Sequence, residues 1–333
     1  MILVTGAAGH LGNVLVRELV DQGNTVRAMV LPGEDRQSIE NLGIEIVEGN
    51  ILDKASVVQA MQGVEAVFHM AALVAISPGS EALLRRVNVE GTRNMLDAAK
   101  TCGIKRFIYT SSIHALARPP IGTVIDETQP FDVNNPAGMY DSTKAEASLE
   151  VMKAVNEGLN AVIVCPTGVI GPYDYRRSEL GEMFISWMKK TGSIVVEGAF
   201  DFVDVRDVAK GHILALTRGK PGHTYILGGT RVQVKFLVRM VKKLVGAYSP
   251  IIVLPPKLAN FAAVLAEKYY KMTHTRPKFT RYSLETLASN SDISSDKARQ
   301  ELGYQPRSLT ETLADTIGWW KLNAKKIKFQ LRA

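Results

Sequence analysis

With two cysteines in 333 residues, the chain has no material for a disulfide framework, and Cys102 and Cys165 have no metal-ligand spacing. Both read as small buried apolar residues, no metal site is expected, and a reducing, cytoplasmic setting follows. No charged segment precedes an apolar one at the start, where Met1 leads straight into Ile2-Leu3-Val4, so secretion is not expected. The apolar stretch from Ile251 to Ala266 is broken by Pro255, Pro256, Lys257 and Asn260 well short of a bilayer span, so no transmembrane helix is expected. Internal repeats and low-complexity segments are lacking too. What is present is 46% hydrophobic residues, enough for one large domain or two closely joined ones. The net charge is +7, and part of the excess sits in Lys321, Lys325, Lys326, Lys328 and Arg332 after Trp319 and Trp320. A basic end beside aromatics suits an anionic membrane or nucleic acid, but such runs are ordinarily solvated; no nucleic-acid partner is expected.

The first half alternates short apolar runs with amphipathic segments. Strands are expected near Ile2 to Thr5, Thr25 to Val30, Ile44 to Val47, Ala66 to His69, Arg106 to Thr110 and Ala161 to Cys165. Helical patterns cover Leu11 to Leu19, Lys54 to Met61 and Leu83 to Lys100. Buried strands in strand-helix-strand order predict an α/β fold, a doubly wound parallel sheet with helices on both faces. Beyond Gly171 the pattern loosens into helical stretches at Met183 to Lys190, Val208 to Leu216, Val234 to Leu244 and Leu309 to Trp320. Residues 1–170, with segments near 200–228, are assigned to the sheet domain; residues 171–200 and 229–333 are assigned to a smaller lobe closing a cleft.

Directly after the first strand comes Thr5-Gly6-Ala7-Ala8-Gly9-His10-Leu11-Gly12, opening a helix. Gly6 permits a tight turn, Gly9 lets backbone approach a diphosphate, and Gly12 lets helix pack on strand. The helix N-terminus then offers free N–H groups to a dinucleotide. An acid at the end of the second strand takes a ribose diol, and an arginine there takes a 2′-phosphate. That place reads Val30-Leu31, which is neither. Arg27 and Arg36 lie near enough to reach for a phosphate, whereas Glu34 and Asp35 would repel one, so NAD(P) is expected with NAD favoured over NADP.

Tyr140 and Lys144 are four residues apart on a helical pattern and share a face. A tyrosine of ordinary pKa near ~10 is a poor proton shuttle at neutral pH, but an adjacent ammonium favours its phenolate. Such a tyrosine exchanges a proton with a carbonyl or alcohol oxygen. Tyr109-Thr110-Ser111-Ser112, at the end of the fifth strand, brings hydroxyls to the same edge; one of the serines is expected to satisfy backbone groups instead. His69 and His114 read as hydrogen-bonded structural histidines. In Asp174-Tyr175-Arg176-Arg177, the arginines suit an anionic substrate or, more ordinarily, a solvated turn.

These residues resemble, in order, the motifs of the extended short-chain dehydrogenase/reductases, and the resemblance covers nearly the whole chain. Val67-Phe68-His69-Met70-Ala71-Ala72 is similar to the segment beside the adenine ribose, and Asn88-Val89-Glu90-Gly91-Thr92 to the helix that orders a lysine-linked water. Pro166-Thr167-Gly168-Val169-Ile170-Gly171-Pro172 resembles the loop over the nicotinamide. Phe202 to Val208 and Lys297 to Tyr304 resemble later signatures. The resemblance implies Ser112, Tyr140 and Lys144 as the catalytic set, with Tyr140 as acid/base and Lys144 on the nicotinamide ribose. It implies cofactor contacts from Gly6, Gly9, His10, Leu11, Gly12, Leu31, Asn50, Ile51, Met70, Ala71, Ala72, Asn88, Thr110, Tyr140, Lys144, Pro166, Gly168 and Val169. One departure is Gly49-Asn50-Ile51, where the family often has Gly-Asp, which puts the polar adenine contact in doubt.

The branch that looks most similar is that of dihydroflavonol reductases and 3β-hydroxysteroid dehydrogenases, on the stretches Pro255 to Tyr270 and Arg276 to Thr280. It implies reduction of an aldehyde or ketone, or oxidation of the alcohol, and a homodimer through the helices near Leu83 to Lys100 and Ala137 to Val155. Ala117 stands where the plant dihydroflavonol enzymes carry asparagine, so a different carbonyl compound is expected. A nucleotide-sugar epimerase or dehydratase is the alternative. Against it stand Pro166-Thr167-Gly168 and Gly138-Met139, where sugar-nucleotide members usually have Asn and Asn-Pro. A non-catalytic dinucleotide sensor is the third reading, and the complete Ser112, Tyr140, Lys144 set argues against that.

Overall fold

The computed structural model describes residues 1–74, 81–135, 137–255, 258–259, 284–285 and 289–327. Among these, the strands are β1 (Ile2–Thr5), β2 (Val26–Val30), β3 (Glu45–Glu48), β4 (Ala66–His69), β5 (Arg106–Thr110), β6 (Ala161–Pro166), β7 (Gly168–Ile170), β8 (Ser193–Val196), β9 (Ala199–Asp204), β10 (Thr224–Leu227), β11 (Thr230–Gln233) and β12 (Ile251–Leu254). The helices are α1 (His10–Asp21), α2 (Lys54–Ala60), α3 (Glu81–Arg85), α4 (Gly91–Thr101), α5 (Met139–Asn156), α6 (Glu179–Trp187), α7 (Val205–Arg218), α8 (Val234–Leu244) and α9 (Leu309–Asn323). The six strands expected in the first half form within a residue or so of their predicted limits. Most of Pro255 to Tyr270, all of Arg276 to Thr280, and Lys328 and Arg332 lie outside the described residues.

The main sheet has the order β10-β6-β5-β4-β1-β2-β3, with every neighbouring pair parallel. Its strands are buried apolar runs because helices cover both faces. One core joins β-strand residues such as Val4, Phe68 and Ile108 to α1 and α7. The other joins Leu3, Val67 and Phe107 to α2, α4 and α5. The fold is therefore an α/β, Rossmann-type doubly wound sheet.

The pattern over Leu83 to Lys100 is not one helix. Between α3 and α4 lies a wide π turn, Arg86–Glu90. Gly91 packs directly on Ile51, so that a Cβ there would lie 2.5 Å from Ile51 Cδ1. Such widened turns recur where a side chain must be re-aimed, and this one aims Asn88.

A third core, including Phe184, Trp187, Leu237, Val241, Leu313 and Trp320, unites α6, α8 and α9 with the smaller sheets β11-β9-β7 and β12-β8. Short strands β7 to β12 gave no clear alternation in the sequence. The signature from Phe202 to Val208 ties these layers together. Asp204 caps α7 by accepting from Arg206 N at 2.8 Å, and Arg206 reaches Asp315 on α9 at 2.7 Å. Asp207 pairs with Arg307 at 2.9 Å.

Candidate active site

Because the strands of the main sheet are parallel, the carboxyl ends of β1 to β6 line one edge. The strand order reverses between β1 and β4, the switch point where doubly wound sheets bind ligands. Gly6, Met70, Ala71, Ala72, Leu31, Asn50, Ile51, Thr110, Ser112, Pro166, Gly168 and Val169 all follow or end these strands, so the fold collects them on that edge.

The glycine turn is sterically specified. Gly6 has φ +67°, a conformation that favours glycine, and a Cβ there would sit 2.8 Å from Ala71 N. At Gly12 a Cβ would lie 2.1 Å from Gly6 O, so only glycine lets α1 approach the turn. Gly9 is the N-cap of α1 and has no side chain to satisfy the first-turn N–H groups, and no acidic residue occupies that turn. The first helical bond is from Asn13 N to Gly9 O, at 2.9 Å. The turn, with nothing larger than alanine between Gly6 and Gly9, is thus a cradle facing the positive end of a helix, which fits the diphosphate of a dinucleotide. His10 Nε2 meets Pro172 O at 2.9 Å, and Asn13 Nδ2 donates to Tyr173 O at 3.1 Å, so the loop after β7 is fastened onto this helix start.

A buried hydrogen-bond chain fixes the β4 end. Thr5 Oγ1 accepts from Met70 N and Ala71 N, both at 3.2 Å, and donates to His69 Nδ1 at 2.8 Å. His69 Nε2 therefore carries the proton and donates to Thr92 Oγ1 at 3.1 Å, while Thr92 donates to Asn88 O at 2.6 Å. Burial holds the His69 pKa down at about 3, so it stays a neutral structural relay. Asn88 commits its amide to Leu73 N, Leu73 O and Thr143 Oγ1 at 2.8, 3.1 and 3.1 Å. It thus locks the segment after β4 onto α5 rather than reaching Lys144.

Around β5 the two serines divide their duties. Ser111 Oγ bonds Ser148 Oγ at 2.7 Å, and Ser148 donates to Lys144 O at 2.7 Å, so Ser111 anchors α5. Ser112 Oγ accepts from His114 N at 3.2 Å, a bond that leaves its hydroxyl proton for another acceptor. Behind them Cys165 is pushed up to about 12 by burial, an inert thiol. Lys144 is only 3% exposed. Its Nζ donates to Thr110 O at 2.5 Å and lies 4.5 Å from the centroid of the Tyr109 ring. Burial lowers its pKa to about 7, since no carboxylate among the described residues offsets the lost hydration. Tyr140 stands one turn earlier on the same helix, partly exposed, with Thr143 Oγ1 donating to its carbonyl at 3.0 Å.

One network was not legible from motifs. Asp141, next to Tyr140, is fully buried and accepts from Arg118 Nη2 at 2.6 Å. Arg118 Nη2 also donates to His114 Nδ1 at 3.1 Å, and the His114 ring stacks on Phe200 with centroids 5.7 Å apart. Asp141 and Arg118 therefore tie the start of α5 to His114, whose backbone N–H donates to Ser112 Oγ. Replacing Arg118 with methionine removes the guanidinium that meets the buried Asp141 carboxylate at 2.6 Å. A loss of about 2 kcal/mol of stability is expected, less than for a fully enclosed pair because Arg118 is partly exposed. Urea melts of the variant test this, and an unchanged midpoint would show that the pair is immaterial.

At the adenosine side, Arg27 is unable to serve a phosphate. Its guanidinium donates to Ala60 O at 2.9 Å and Gln62 O at 2.7 Å, closing the end of α2, and pairs with Glu45 at 2.9 Å. Leu31 is 49% exposed. Its N–H donates to Glu34 Oε2 at 2.7 Å, so the loop folds an acid back onto the end of β2. Glu34 also pairs with Arg176 from the loop after β7, while Arg177 pairs with Glu182. Neither arginine of that loop is simply solvated. Asp174 accepts from Ser178 N and Oγ and braces the turn. Asn50 Oδ1 accepts from Leu52 N at 2.9 Å, a local turn, while Ile51 is buried against α4.

Comparison with known proteins agrees with this architecture. The model of the NAD dependent epimerase/dehydratase family matches residues 2–228. The chain is 33% identical over 323 residues to sterol demethylase protein B of Methylococcus capsulatus, covering 96% of this chain and 98% of that one. It is 33% identical over 322 residues to a putative dihydroflavonol 4-reductase of Synechocystis sp., covering 96% and 94%. The crystal structure of gox2253 superposes with a TM-score of 0.86 at 34% identity, covering 98% of this chain and 99% of that one. The chain belongs to the NAD-dependent epimerase/dehydratase family and is an NAD(P)-dependent enzyme of the extended short-chain dehydrogenase/reductase type.

Proposed function

We propose that the enzyme reduces a lipophilic aldehyde or ketone, or oxidises the corresponding alcohol, with Tyr140 as acid/base, Lys144 as its electrostatic partner and Ser112 as a hydrogen-bond donor to the reacting oxygen. The observation that carries this reading is the Lys144 side chain, buried at the end of β5 one helical turn from Tyr140. When bound in the glycine cradle, the nicotinamide cofactor supplies or accepts the hydride. Tyr140 delivers its phenolic proton to the carbonyl oxygen, or takes one from the alcohol. Lys144 favours the phenolate left behind, and Ser112 holds the oxygen so that charge developing on it meets a fixed dipole.

The wall beside Ser112 supports an apolar substrate over a sugar nucleotide. It is built from the stacked His114 and Phe200, and the nearby cation Arg118 is neutralised by Asp141. His114 has its pKa lowered to about 3 by burial and by Arg118, and adds no charge. The names of two relatives, sterol demethylase protein B and a putative dihydroflavonol 4-reductase, refer to apolar fused-ring compounds and support this reading. Glu34, folded back onto the end of β2, supports NAD over NADP, because a carboxylate beside that strand end suits a ribose diol. We further propose a homodimer through α4 and α5 in the cytoplasm.

Purified enzyme mixed with NADH or NADPH and a panel of aldehydes, ketones and steroids tests the reading. Loss of nicotinamide absorbance with an apolar ketone, faster with NADH, is the expected result. Silence across the panel from a preparation that binds dinucleotide would overturn it in favour of epimerase or dehydratase chemistry.

A further inference from the structure

The charge of this chain is divided unevenly. Residues 171–200 and 229–333 together hold 23 Lys and Arg against 11 Asp and Glu, which leaves 17 basic and 22 acidic residues elsewhere. A net charge of +7 thus hides an acidic nucleotide half and a strongly basic second lobe, an asymmetry that points to a polyanionic partner.

The described residues show where part of that charge is presented. Helix α8 buries Val234, Leu237, Val238 and Val241 in the third core. Its outward side carries Lys235, Arg239 and Lys243, spaced four apart and therefore in one row. Phe236 stands beside them, 43% exposed, with Lys235 Nζ at 5.1 Å and Arg239 Cζ at 5.5 Å from its ring centroid. At the end of α8, Leu244 and Tyr248 are exposed. The buried Lys242 ammonium donates to Lys189 O at 3.2 Å and Thr191 O at 3.0 Å, and so brings the exposed Lys189-Lys190 turn alongside. Helix α9 packs on α8 and ends in exposed Lys321, Leu322, Lys325 and Lys326.

In the first half Lys54, Arg93 and Lys100 each meet a carboxylate. Among the described residues, no carboxylate pairs with Lys235, Arg239 or Lys243. A solvated face needs charge but gains nothing from exposed Phe, Leu and Tyr interleaved with it. A basic row with apolar side chains beside it suits the headgroup region of an anionic bilayer.

We propose that α8, with the turn at Lys189-Lys190 and the end of α9, docks this enzyme on the surface of an anionic phospholipid bilayer. Lysine and arginine meet the headgroup phosphates, while Phe236, Leu244 and Tyr248 enter the interface. Nucleic acid would use the same cations but not the apolar side chains. The docking is independent of the reaction assigned to the active site.

Flotation of the full-length protein tests this. The vesicles are pure phosphatidylcholine or phosphatidylcholine with about 30% phosphatidylglycerol, at about 0.1 M and about 0.5 M salt. The wild type is expected to float with the anionic vesicles only, and to be released at the higher salt. Each basic residue near such a surface is worth roughly fivefold in partition, so Lys235→Glu/Arg239→Glu/Lys243→Glu should reduce binding by at least about a hundredfold. The milder Lys235→Gln/Arg239→Gln pair should give an intermediate loss, and thermal stabilisation by NADH reports that either variant is folded. Failure of the wild type to float with anionic vesicles would overturn the proposal. So would equal flotation with neutral vesicles, wild-type flotation of the folded variants, or release of bound protein from vesicles by equimolar duplex DNA.

Discussion

Tyr140→Phe is expected to lower turnover by roughly 10²–10⁴-fold, the range a positioned proton donor contributes, while leaving dinucleotide affinity nearly unchanged. The substitution removes one hydroxyl and keeps the ring, so the local packing of α5 survives. Lys144 remains on Thr110 O, and the glycine cradle lies on other elements altogether. The loss should therefore fall on kcat, because the proton moves only in the transition state. Steady-state kinetics with the best substrate of the panel, together with NADH titration by fluorescence, separate the two quantities. A variant that keeps most of its activity would remove Tyr140 from the mechanism. Equal loss of turnover and NADH affinity would make the hydroxyl a cofactor ligand and not the acid.

Much of the site was legible because short-range chemistry wrote it into short spacings. The turn from Gly6 to Gly12 needs glycine at three places for reasons that act within one turn, and the contacts at Gly6 and Gly12 bear this out. The shared face of Tyr140 and Lys144 follows from helical geometry alone. Less legible was anything made by residues far apart in the chain. The Arg118 to Asp141 pair joins residues 23 apart through a part-buried contact, and Glu34 meets Arg176 across 142 positions. No local pattern announces either.

The same limit explains the reading of Arg27 as a possible phosphate ligand. Its position on β2 is right, but its guanidinium turns to the carbonyls at the end of α2, which no strand pattern reveals. Asn88 was read as a cofactor contact beside Lys144, yet its partners in the fold are Leu73 and Thr143, from two other elements. The widened turn at Arg86–Glu90 that aims it is a departure from regular helix, and hydrophobic periodicity sees only the regular part.

Lys144→Met is expected to abolish useful turnover and, in the dinucleotide-free protein, to raise stability at neutral pH and below. Burial lowers the lysine pKa from its ordinary 10.5 to about 7 in the folded state. Between those values the unfolded chain holds a proton that the folded chain lacks, so stability rises with pH across the window. Below about 7 both states are protonated and the full cost of burying the ammonium is present, a few kcal/mol at most. Methionine removes that cost but leaves Thr110 O without its donor, a loss of about 1 kcal/mol. Net stabilisation should thus be largest at about pH 6, shrink through about pH 8 and reverse near about pH 10. Denaturant melts of both proteins at these three pH values measure it. A methionine variant less stable by the same amount throughout would show that the lysine is held without strain. A stabilised but inactive variant would show that the site retains an unfavourable buried charge because the Tyr140 phenolate requires it.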